Sequence, residues 1–394
     1  MPLLDSFTGI RYTSGELKDV VCPPYDIISP EQQDALYDRH PNNAVRLELA
    51  RGDGVERYQS AASTFSEWLA TGILAMDDQP SLYVYRQDFE TPAGDRTHVA
   101  GVIGALQLEP FGETSGVLPH ERTMEGPKKD RLALLRACPV NVSPIYAIYR
   151  GAGRLAPFFG SLEDRPTEAR VPDDDGILHR LWVIKAPAEI EMLRAAIAPG
   201  PLVIADGHHR YETALAYREE KGPAPGPHDF IMCFCVDADS EGLVVLPYNR
   251  ALRSSVEPAD LAHRLRKRFP PDASHDHPFT FVLAQEDVDA SASDQDVVAA
   301  VGDRSPAWRD LDVVALHEAV LPAVLPEGID ELTFSKDPEY IRSLVAAGWT
   351  AGVLLRAVSA PAIVDVARSG ERMPQKASYF WPKAATGLVF RSVS

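Results

Sequence analysis

The sequence predicts a mixed α/β (α+β) protein. Short apolar runs alternate with stretches of helical periodicity, and proline and glycine mark most of the boundaries between them. The middle of the chain alternates most regularly: Pro187–Ala198 and Tyr211–Lys221 have helical spacing, and Leu202–Ala205 between them is typical of a buried strand. No apolar stretch is long enough to cross a bilayer. These observations favour a soluble fold in which strands and helices pack together.

The first 150 residues begin with turns and continue into an antiparallel sheet. Ser29 and Pro30 predict a helix start, because serine is a good N-cap and proline suits the first helical position. The helix is expected to run to about Arg39. Further along, the pattern predicts a strand at Val45–Leu49, a helix at Tyr58–Leu69, and paired strands at Ser81–Arg86 and His98–Leu108.

The remaining elements follow the same two periodicities. Helices are predicted at Lys128–Ala137, Glu257–Phe269 and Asp337–Gly348, and strands at Val142–Tyr149, Arg180–Lys185, Phe230–Val236 with Gly242–Pro247, Pro278–Ala284 and Thr350–Arg356. The Asp-, Ser- and Ala-rich stretch Glu286–Asp303 is predicted to be a variable loop. A chain of 394 residues exceeds one ordinary core, and we expect three regions, at 1–150, 151–270 and 271–394.

Charge and cysteine content limit the partners. The formal net charge of −18 would repel a nucleic-acid backbone, so no nucleic acid is expected as partner. No membrane is expected either, because no apolar stretch is long enough to cross one. Any phosphorylated ligand would need a local basic pocket, which suits a small metabolite. Four cysteines without a C-x-x-C, and a start without a secretory pattern, predict reduced, buried thiols in a cytoplasmic protein. The sequence leaves the oligomeric state open.

The segment Pro201–Tyr217 carries the clearest candidate site. A strand that ends in Asp206-Gly207 and runs directly into a helix presents unpaired backbone N–H groups and the positive end of the helix dipole, which together attract phosphate. Arg210 can grip phosphate oxygens, and His208 or His209 can donate a hydrogen bond or transfer a proton. Asp206 can act in catalysis, cap the helix or hold Mg²⁺.

Two other interpretations of this turn stay open. It can be an ordinary capped helix whose polar residues are exposed. The other interpretation is a histidine-based metal site. Adjacent side chains on a helix diverge, so only one of His208 and His209 could bind a given ion.

The string Asp206–Ala214 resembles the phosphate-binding signature of the ParB/sulfiredoxin superfamily, with Thr213 where that pattern has alanine. The resemblance implies a ParB/sulfiredoxin-like core, with additional mixed segments before and after it. It also implies binding of nucleotide phosphates, as in chromosome-partition nucleotidases, sulfiredoxins and free serine kinases. Sulfiredoxin chemistry is disfavoured, because it needs a cysteine where His208 stands.

A second resemblance covers nearly the whole chain. The motifs Cys22–Ile28 (CPPYDII), His120–Thr123 (HERT), Asp206–Ala214 and Met373–Lys383 (MPQKASYFWPK) look like the family catalogued as domain of unknown function 1015. This resemblance identifies relatives of the chain but implies no settled activity.

Further polar residues complete the candidate set. Glu121 is a candidate general base or magnesium ligand, on chemical grounds. Four residues are candidates for substrate binding: Tyr25, Asp26, Arg46 and Arg250. Lys376 could reach a nucleotide phosphate beside the aromatic residues that follow it. Structural roles for all of these residues remain open.

The leading hypothesis is a kinase that uses ATP or ADP, with Mg²⁺, to phosphorylate a small hydroxyl metabolite such as free serine. No Walker, dinucleotide-binding or protein-kinase motif occurs, so the helix-end turn would have to bind the nucleotide. One alternative is a nucleotide-binding switch without turnover. The other is a phosphatase or hydrolase that uses His208 or His209.

Overall fold

A computed structural model describes residues 2–13, 17–112, 114–121, 125–272 and 277–394. Contacts divide the chain into two compact units. The first comprises Met1–Pro119, Thr123–Val244 and Pro382–Ser394, and the second comprises His120–Arg122 and Val245–Trp381. The sequence analysis expects three regions rather than two units, and that division stays a prediction.

Strands and helices alternate along the described chain, as the sequence predicts. The strands are β1 Leu4–Asp5, β2 Ile10–Tyr12, β3 Leu74–Met76, β4 Leu82–Glu90, β5 Arg96–Gln107, β6 Val117–Pro119, β7 Val140–Asn141, β8 Ile145–Tyr149, β9 Ala169–Pro172, β10 Leu178–Ile184, β11 Leu202–Asp206, β12 Phe230–Asp237, β13 Val244–Leu246, β14 Asn249–Arg253, β15 His277–Val282, β16 Asp287–Ala292, β17 Glu331–Ser335, β18 Ala351–Leu354, β19 Tyr379–Trp381 and β20 Arg391–Ser392.

The α-helices of the described residues are α1 Leu17–Val20, α2 Pro30–Arg39, α3 Val45–Glu48, α4 Glu56–Ala70, α5 Glu125–Ala137, α6 Ala156–Ser161, α7 Pro187–Ile197, α8 His208–Lys221, α9 Pro258–Arg268, α10 Asp294–Val301, α11 Pro306–Arg309, α12 Asp312–Val314, α13 Leu321–Val324, α14 Pro338–Ala346 and α15 Ala360–Arg368. Short 3₁₀ turns occur at Tyr25–Ile27 and Pro227–Asp229, and a π-helical turn occurs at Ala315–Val320. The mixed α/β class is therefore confirmed. Within the described residues, no helix is both long and apolar enough to span a membrane.

The first unit is built around a sheet that contains both parallel and antiparallel strand pairs. In the described part of the chain it has nine strands in the order β6-β11-β8-β12-β5-β4-β10-β9, with β1 added to β5. Strand β11 runs parallel to β6 and antiparallel to β8, while β12 runs parallel to β8 and antiparallel to β5. One face of the sheet packs against residues of α7 and α8, such as Leu193 and Tyr211, which are fully buried. This packing fixes the end of β11 and the start of α8.

The second unit contains an antiparallel sheet. Its described strands lie in the order β16-β15-β18-β14-β17. Helix α14 packs on this sheet through the buried Ile341, which contacts the cluster around Ala251 and Trp349.

Three sequence predictions were wrong, all where local pattern competed with tertiary packing. The strands predicted at 230–236 and 242–247 do not pair with each other, because β12 lies between β5 and β8 in the mixed sheet and β13 belongs to another sheet. The residues predicted as a strand at 45–49 form helix α3 at 45–48, because Val45 and Leu47 are fully buried in an apolar cluster with residues such as Phe65 instead of pairing in a sheet. The stretch 286–303, predicted as a loop, contains β16 and α10. Ser293 caps α10 in a reciprocal arrangement with Asp296, a start signal that the polar composition concealed.

Other predictions are confirmed. Ser29 caps α2 in a reciprocal pair with Gln32, and proline occupies the first turn. Strands β4 and β5 pair antiparallel. All four cysteines are buried and free.

Candidate phosphate-binding turn

The turn between β11 and α8 is built by a buried strand that ends at a glycine. Leu202, Val203 and Ile204 are fully buried, and Gly207 adopts a φ of +87° before α8 begins at His208. A Cβ atom at Gly207 would lie 2.9 Å from Cγ2 of Ile145 and would also be strained by the positive φ. Only glycine therefore fits this reversal comfortably.

The N-terminus of α8 begins without a side-chain cap from its N-cap residue, because that residue is Gly207. The first intrahelical bond is the one donated by Tyr211 N to Gly207 O, at 3.0 Å. Helix geometry supplies no intrahelical acceptor for the preceding amides, and the helix dipole makes this end positive. The predicted strand–turn–helix arrangement at 201–217 is therefore present, with α8 beginning three residues earlier than the sequence pattern indicated.

Asp206 is held between two cations. Its Oδ1 accepts from Nζ of Lys383, and its Oδ2 accepts from Nη2 of Arg210 at 2.8 Å. Burial alone would raise the pKa of Asp206. The charges of Lys383 and Arg210 outweigh burial and lower this pKa to about 2. At neutral pH, Asp206 is thus a fixed anion that holds cations, and it is a poor proton acceptor.

Arg210 reaches inward from the same turn. Its Nη1 donates to Ser143 Oγ and to the carbonyl of Pro144, both at 2.7 Å. Its Nε is buried and has no hydrogen-bond acceptor among the described residues. The residue predicted to grip phosphate therefore has both terminal nitrogens bound to protein acceptors and connects the turn to the interior of the first unit.

Glu48 continues this connection to the CPPYD motif. Its buried carboxylate Oε1 accepts from Ser143 Oγ at 2.9 Å and from Tyr25 N at 3.3 Å. Arg131 lies over the Tyr25 ring at 4.2 Å and donates to the carbonyl of Glu48 at 2.7 Å. The residues that form this chain of contacts, which we call the turn network, are Tyr25, Glu48, Ser143, Asp206, Arg210 and Lys383.

Asp26 places a second carboxylate near the turn network. Its pKa is raised, first by surrounding protein that displaces water and then by the negative charge of Asp206, against the lowering effect of Lys383 and Arg210. The predicted residues Tyr25 and Asp26 therefore lie at the Asp206 turn.

A small cavity lies behind the turn network. Its volume is about 50 Å³, and it is lined at one end by Glu48, Arg131, Ser143 and Arg210 and elsewhere by apolar residues such as Ile231. That volume holds a few water molecules but no metabolite. The polar end places Arg210 next to enough space for an ordered water.

The two histidines of the turn differ in burial. His208 is buried and contributes a charge that lowers the pKa of Asp206, whereas His209 is half-buried. No group of three or more His, Cys, Asp or Glu side chains suited to a metal ion occurs in the described residues. Both oxygens of Asp206 already face cations, so the turn does not fit a protein-bound Mg²⁺.

Three predicted residues belong to the second unit. Arg250 is fully buried, and its guanidinium donates to the carbonyls of Tyr248 and Lys376 and to His317 Nε2. Burial lowers the pKa of Arg250 to about 10. Lys376 has a φ of +54°, and its ammonium lies 5.1 Å from the centre of the Tyr248 ring. The structure therefore joins Arg250 and Lys376 to each other.

Glu121, the third of these residues, follows a histidine that is tied to the MPQKASYF motif. Within the second unit, His120 Nε2 lies 3.1 Å from Ser378 Oγ, and the His120 carbonyl accepts from Met373 N at 2.8 Å. Glu121 itself is half-buried. Arg122 and Thr123 of the same motif lie outside the described residues.

Arg46 lies in the first unit on α3. Its guanidinium packs 4.4 Å from the centre of the Tyr37 ring, and Nη2 donates to the Tyr37 carbonyl at 2.9 Å. Its observed partners are thus on α2, and the substrate role predicted for it stays a prediction.

A comparison with models of protein families shows which family the chain belongs to. The family model described as "Protein of unknown function (DUF1015)" matches residues 4–314, well over half of the sequence. The chain belongs to this family. The match confirms the resemblance predicted from the sequence motifs, although it ends before the Met373–Lys383 segment. A comparison with proteins of curated function finds no match.

Several solved structures resemble this DUF1015 protein at low identity. A free serine kinase mutant in complex with ADP is 14% identical, with 69% of this chain and 88% of the kinase covered and a TM-score of 0.36. SbnI with C-terminal truncation from Staphylococcus aureus is 9% identical, with coverages of 72% and 85% and a TM-score of 0.39. A conserved hypothetical protein from Pyrococcus furiosus is 12% identical, with coverages of 68% and 89% and a TM-score of 0.35.

All three TM-scores are below 0.5, so these similarities assign no function to the DUF1015 protein.

Sequence reasoning missed Lys383, Glu48 and Ser143. Lys383 closes the MPQKASYFWPK motif, and its position in a long, motif-like string was the available signal. Glu48 lies in an apolar run, VRLELA, where a lone carboxylate that the fold buries needs partners. Nothing in the sequence indicated a site role for Ser143, because serine is common in the loops that precede strands.

Proposed function

We propose that this DUF1015 protein binds the phosphate groups of a nucleotide at the Asp206–Arg210 turn and transfers a phosphoryl group to a small hydroxyl metabolite. One observation carries the proposal. A glycine-capped helix N-terminus lies beside Lys383 and Arg210, which both pair with the carboxylate of Asp206. Backbone donors, the positive end of the helix dipole and the Lys383 ammonium together favour an anion.

The charge of the whole chain strengthens this reasoning. With a formal net charge of −18, most of the surface repels phosphate. Lys383 and Arg210 therefore concentrate positive charge at one place on an acidic chain, beside the carboxylates of Asp206 and Asp26. The turn residues also resemble the ParB/sulfiredoxin motif, which supports a nucleotide as the source of the phosphate.

The proposed chemistry assigns separate tasks to the turn residues. Lys383 and the first-turn amides of α8 hold phosphate oxygens, while Asp206 and Arg210 hold Lys383 and the turn in place. In the transfer step, the acceptor hydroxyl oxygen bonds to the terminal phosphorus of ATP as the bond to the leaving ADP oxygen breaks. A general base takes the hydroxyl proton. With its pKa of about 2, Asp206 does not suit this task, and Glu121 is the proposed base on chemical grounds.

A nucleotide-binding switch is the second candidate function. The specific observation that favours it is the low pKa of Asp206, because this carboxylate is a poor proton acceptor near neutral pH. A switch would bind nucleotide through the same residues and show no turnover that depends on an acceptor.

Calorimetric titration with ADP, followed by an assay for phosphorylated product with ATP, Mg²⁺ and free serine, tests both candidates. Binding together with serine-dependent product supports the kinase, and binding without product from any hydroxyl metabolite supports the switch. If the protein binds neither ADP nor ATP at millimolar concentration, both proposals are wrong. Phosphate release from a phosphorylated metabolite in nucleotide-free buffer would instead indicate a phosphatase.

A further inference from the structure

The segment that carries Lys383 is fastened to strand β4 at two points. Gln87 Nε2 donates to the carbonyl of Lys383 at 2.8 Å, and the amide of Ala385 donates to the hydroxyl of Tyr85 at 3.1 Å. Tyr85 and Gln87 are two residues apart, so they project from the same face of the sheet. This face therefore determines where the backbone on either side of Lys383 lies.

Tyr85 is itself held by a buried histidine. Its hydroxyl lies 2.7 Å from His179 Nδ1, and His179 Nε2 lies 3.0 Å from Asp173 Oδ2. In the antiparallel pairing of β4 and β10, Tyr85 is opposite Leu181 and Gln87 is opposite His179. Tyr85 and His179 are thus diagonal neighbours on one face, and both are almost completely buried.

The hydrogen-bond partners assign the protons. The Asp173 carboxylate only accepts, so His179 Nε2 carries the hydrogen that is donated to it. In the neutral ring Nδ1 is then an acceptor, and the Tyr85 hydroxyl donates to it. The other oxygen of Asp173 accepts from the amides of Asp175 and Ile177, at 3.0 and 2.8 Å, which fixes the carboxylate in the β9–β10 turn.

We infer that Asp173, His179 and Tyr85 form a positioning relay, which sets the Lys383 ammonium against Asp206 and thereby prepares the anion-binding group of the turn. The relay ends on a backbone amide two residues from Lys383. Tyr85 and His179 are buried polar side chains, which are an expensive way to fill space that apolar residues could fill. The role assigned to Lys383 in binding rests on the proposed function, whereas its fixed position can be measured without any ligand.

The experiment is pulse acetylation of lysines with acetic anhydride, followed by mass spectrometry of the peptide that contains Lys383. The exposed Lys267 serves as the internal reference in each sample. In Tyr85→Phe the Ala385 amide loses its acceptor, so labelling of Lys383 relative to Lys267 should rise about fivefold, the size expected for one net hydrogen bond.

Two substitutions of His179 separate positioning from packing. In His179→Asn the new side-chain amide oxygen can lie near the position of Nδ1 and accept from Tyr85, whereas the aliphatic side chain in His179→Leu cannot accept a hydrogen bond. Labelling of Lys383 should therefore stay near the wild-type value in His179→Asn and rise in His179→Leu, even if both variants lower the melting temperature similarly. A purely structural role would change the melting temperatures and leave labelling of Lys383 unchanged.

Tyr83→Phe is the matched control. Tyr83 lies on the same strand and face, is equally buried, and uses its hydroxyl to bind the Gly9 amide and Asp77. If labelling of Lys383 in Tyr85→Phe equals that in Tyr83→Phe, the positioning relay is wrong. ADP titration of the same proteins gives a separate result: wild-type protein that does not bind ADP refutes the proposed function, while the labelling data still decide the relay.

Discussion

At the scale of single residues, ion pairing determines what Asp206 can do. Lys383 and Arg210 keep it ionised although it is largely buried. The sequence allowed Asp206 to cap a helix, bind a metal or take part in catalysis. The structure favours an electrostatic role, because both of its carboxylate oxygens are already engaged by cations.

This pairing predicts how stability depends on pH. The pKa of Asp206 falls from an ordinary 3.8 to about 2 on folding. A group whose pKa is lowered by folding stabilises the protein above its unfolded-state pKa, and that contribution is lost as the pH falls toward the folded-state value. The contribution is about 2 kcal/mol. Urea unfolding should show Asp206→Asn to be less stable than wild type at pH 7, with the difference shrinking between pH 4 and pH 2.

Asp78→Asn is the control for this experiment, because Asp78 pairs with Lys185 on the surface. Its difference from wild type should be small at every pH. A difference for Asp206→Asn that stays constant from pH 7 to pH 2 would contradict the ion-pair account.

At the scale of elements, the β11–Gly207–α8 turn was predictable and its partners were not. A buried strand, an Asp-Gly pair and a helical period lie next to each other in the chain, so local rules identify them. Lys383 lies 177 residues from Asp206 along the chain, and only tertiary folding brings them together. Helix α3 shows the same limit, because burial of Val45 and Leu47 overrides a strand-like local pattern.

Gly207→Ala tests the geometry of this turn. The new Cβ atom would contact Ile145 at 2.9 Å and would place alanine at a φ of +87°. We expect a loss of unfolding free energy of about 2–3 kcal/mol, from backbone strain and overpacking together. Chemical denaturation measures this loss directly.

The chain offers a matched control in Gly72→Ala. Gly72 has a φ of +74° and no atom within 4 Å of the position of its Cβ. It should show the strain alone, about 1 kcal/mol. Equal losses for the two variants would mean that the approach of Ile145 does not matter.

At the scale of the whole molecule, the predicted site residues divide between the two units. Tyr25, Asp26 and the Asp206 turn belong to the first unit, and Glu121, Arg250 and Lys376 belong to the second. The order of the motifs in the sequence indicated the family, and the mixed α/β class followed from alternating periodicities. The grouping of the motifs into units could not be predicted from the sequence, because it depends on contacts between distant segments.

The proposed role of Glu121 as general base gives a further prediction. If Glu121 is the base and the turn binds nucleotide, Glu121→Gln should leave the Kd for ADP within about twofold and lower product formation at least a hundredfold, the usual range for loss of a general base. Calorimetry and a product assay on the same preparation make the comparison. Parallel loss of both binding and turnover would argue against a separate role for Glu121.

The central claim, that the Asp206–Arg210 turn binds nucleotide phosphate with the help of Lys383, is tested most directly by the affinity for ADP. We expect Lys383→Ala to raise the Kd at least about tenfold, as for loss of a charge-assisted hydrogen bond, and Lys383→Arg to restore part of the affinity. Lys185→Ala, which removes an exposed lysine paired with Asp78, should leave the Kd unchanged. Equal affinity of a folded Lys383→Ala variant and wild type, or no ADP binding by wild type at millimolar concentration, would contradict the claim.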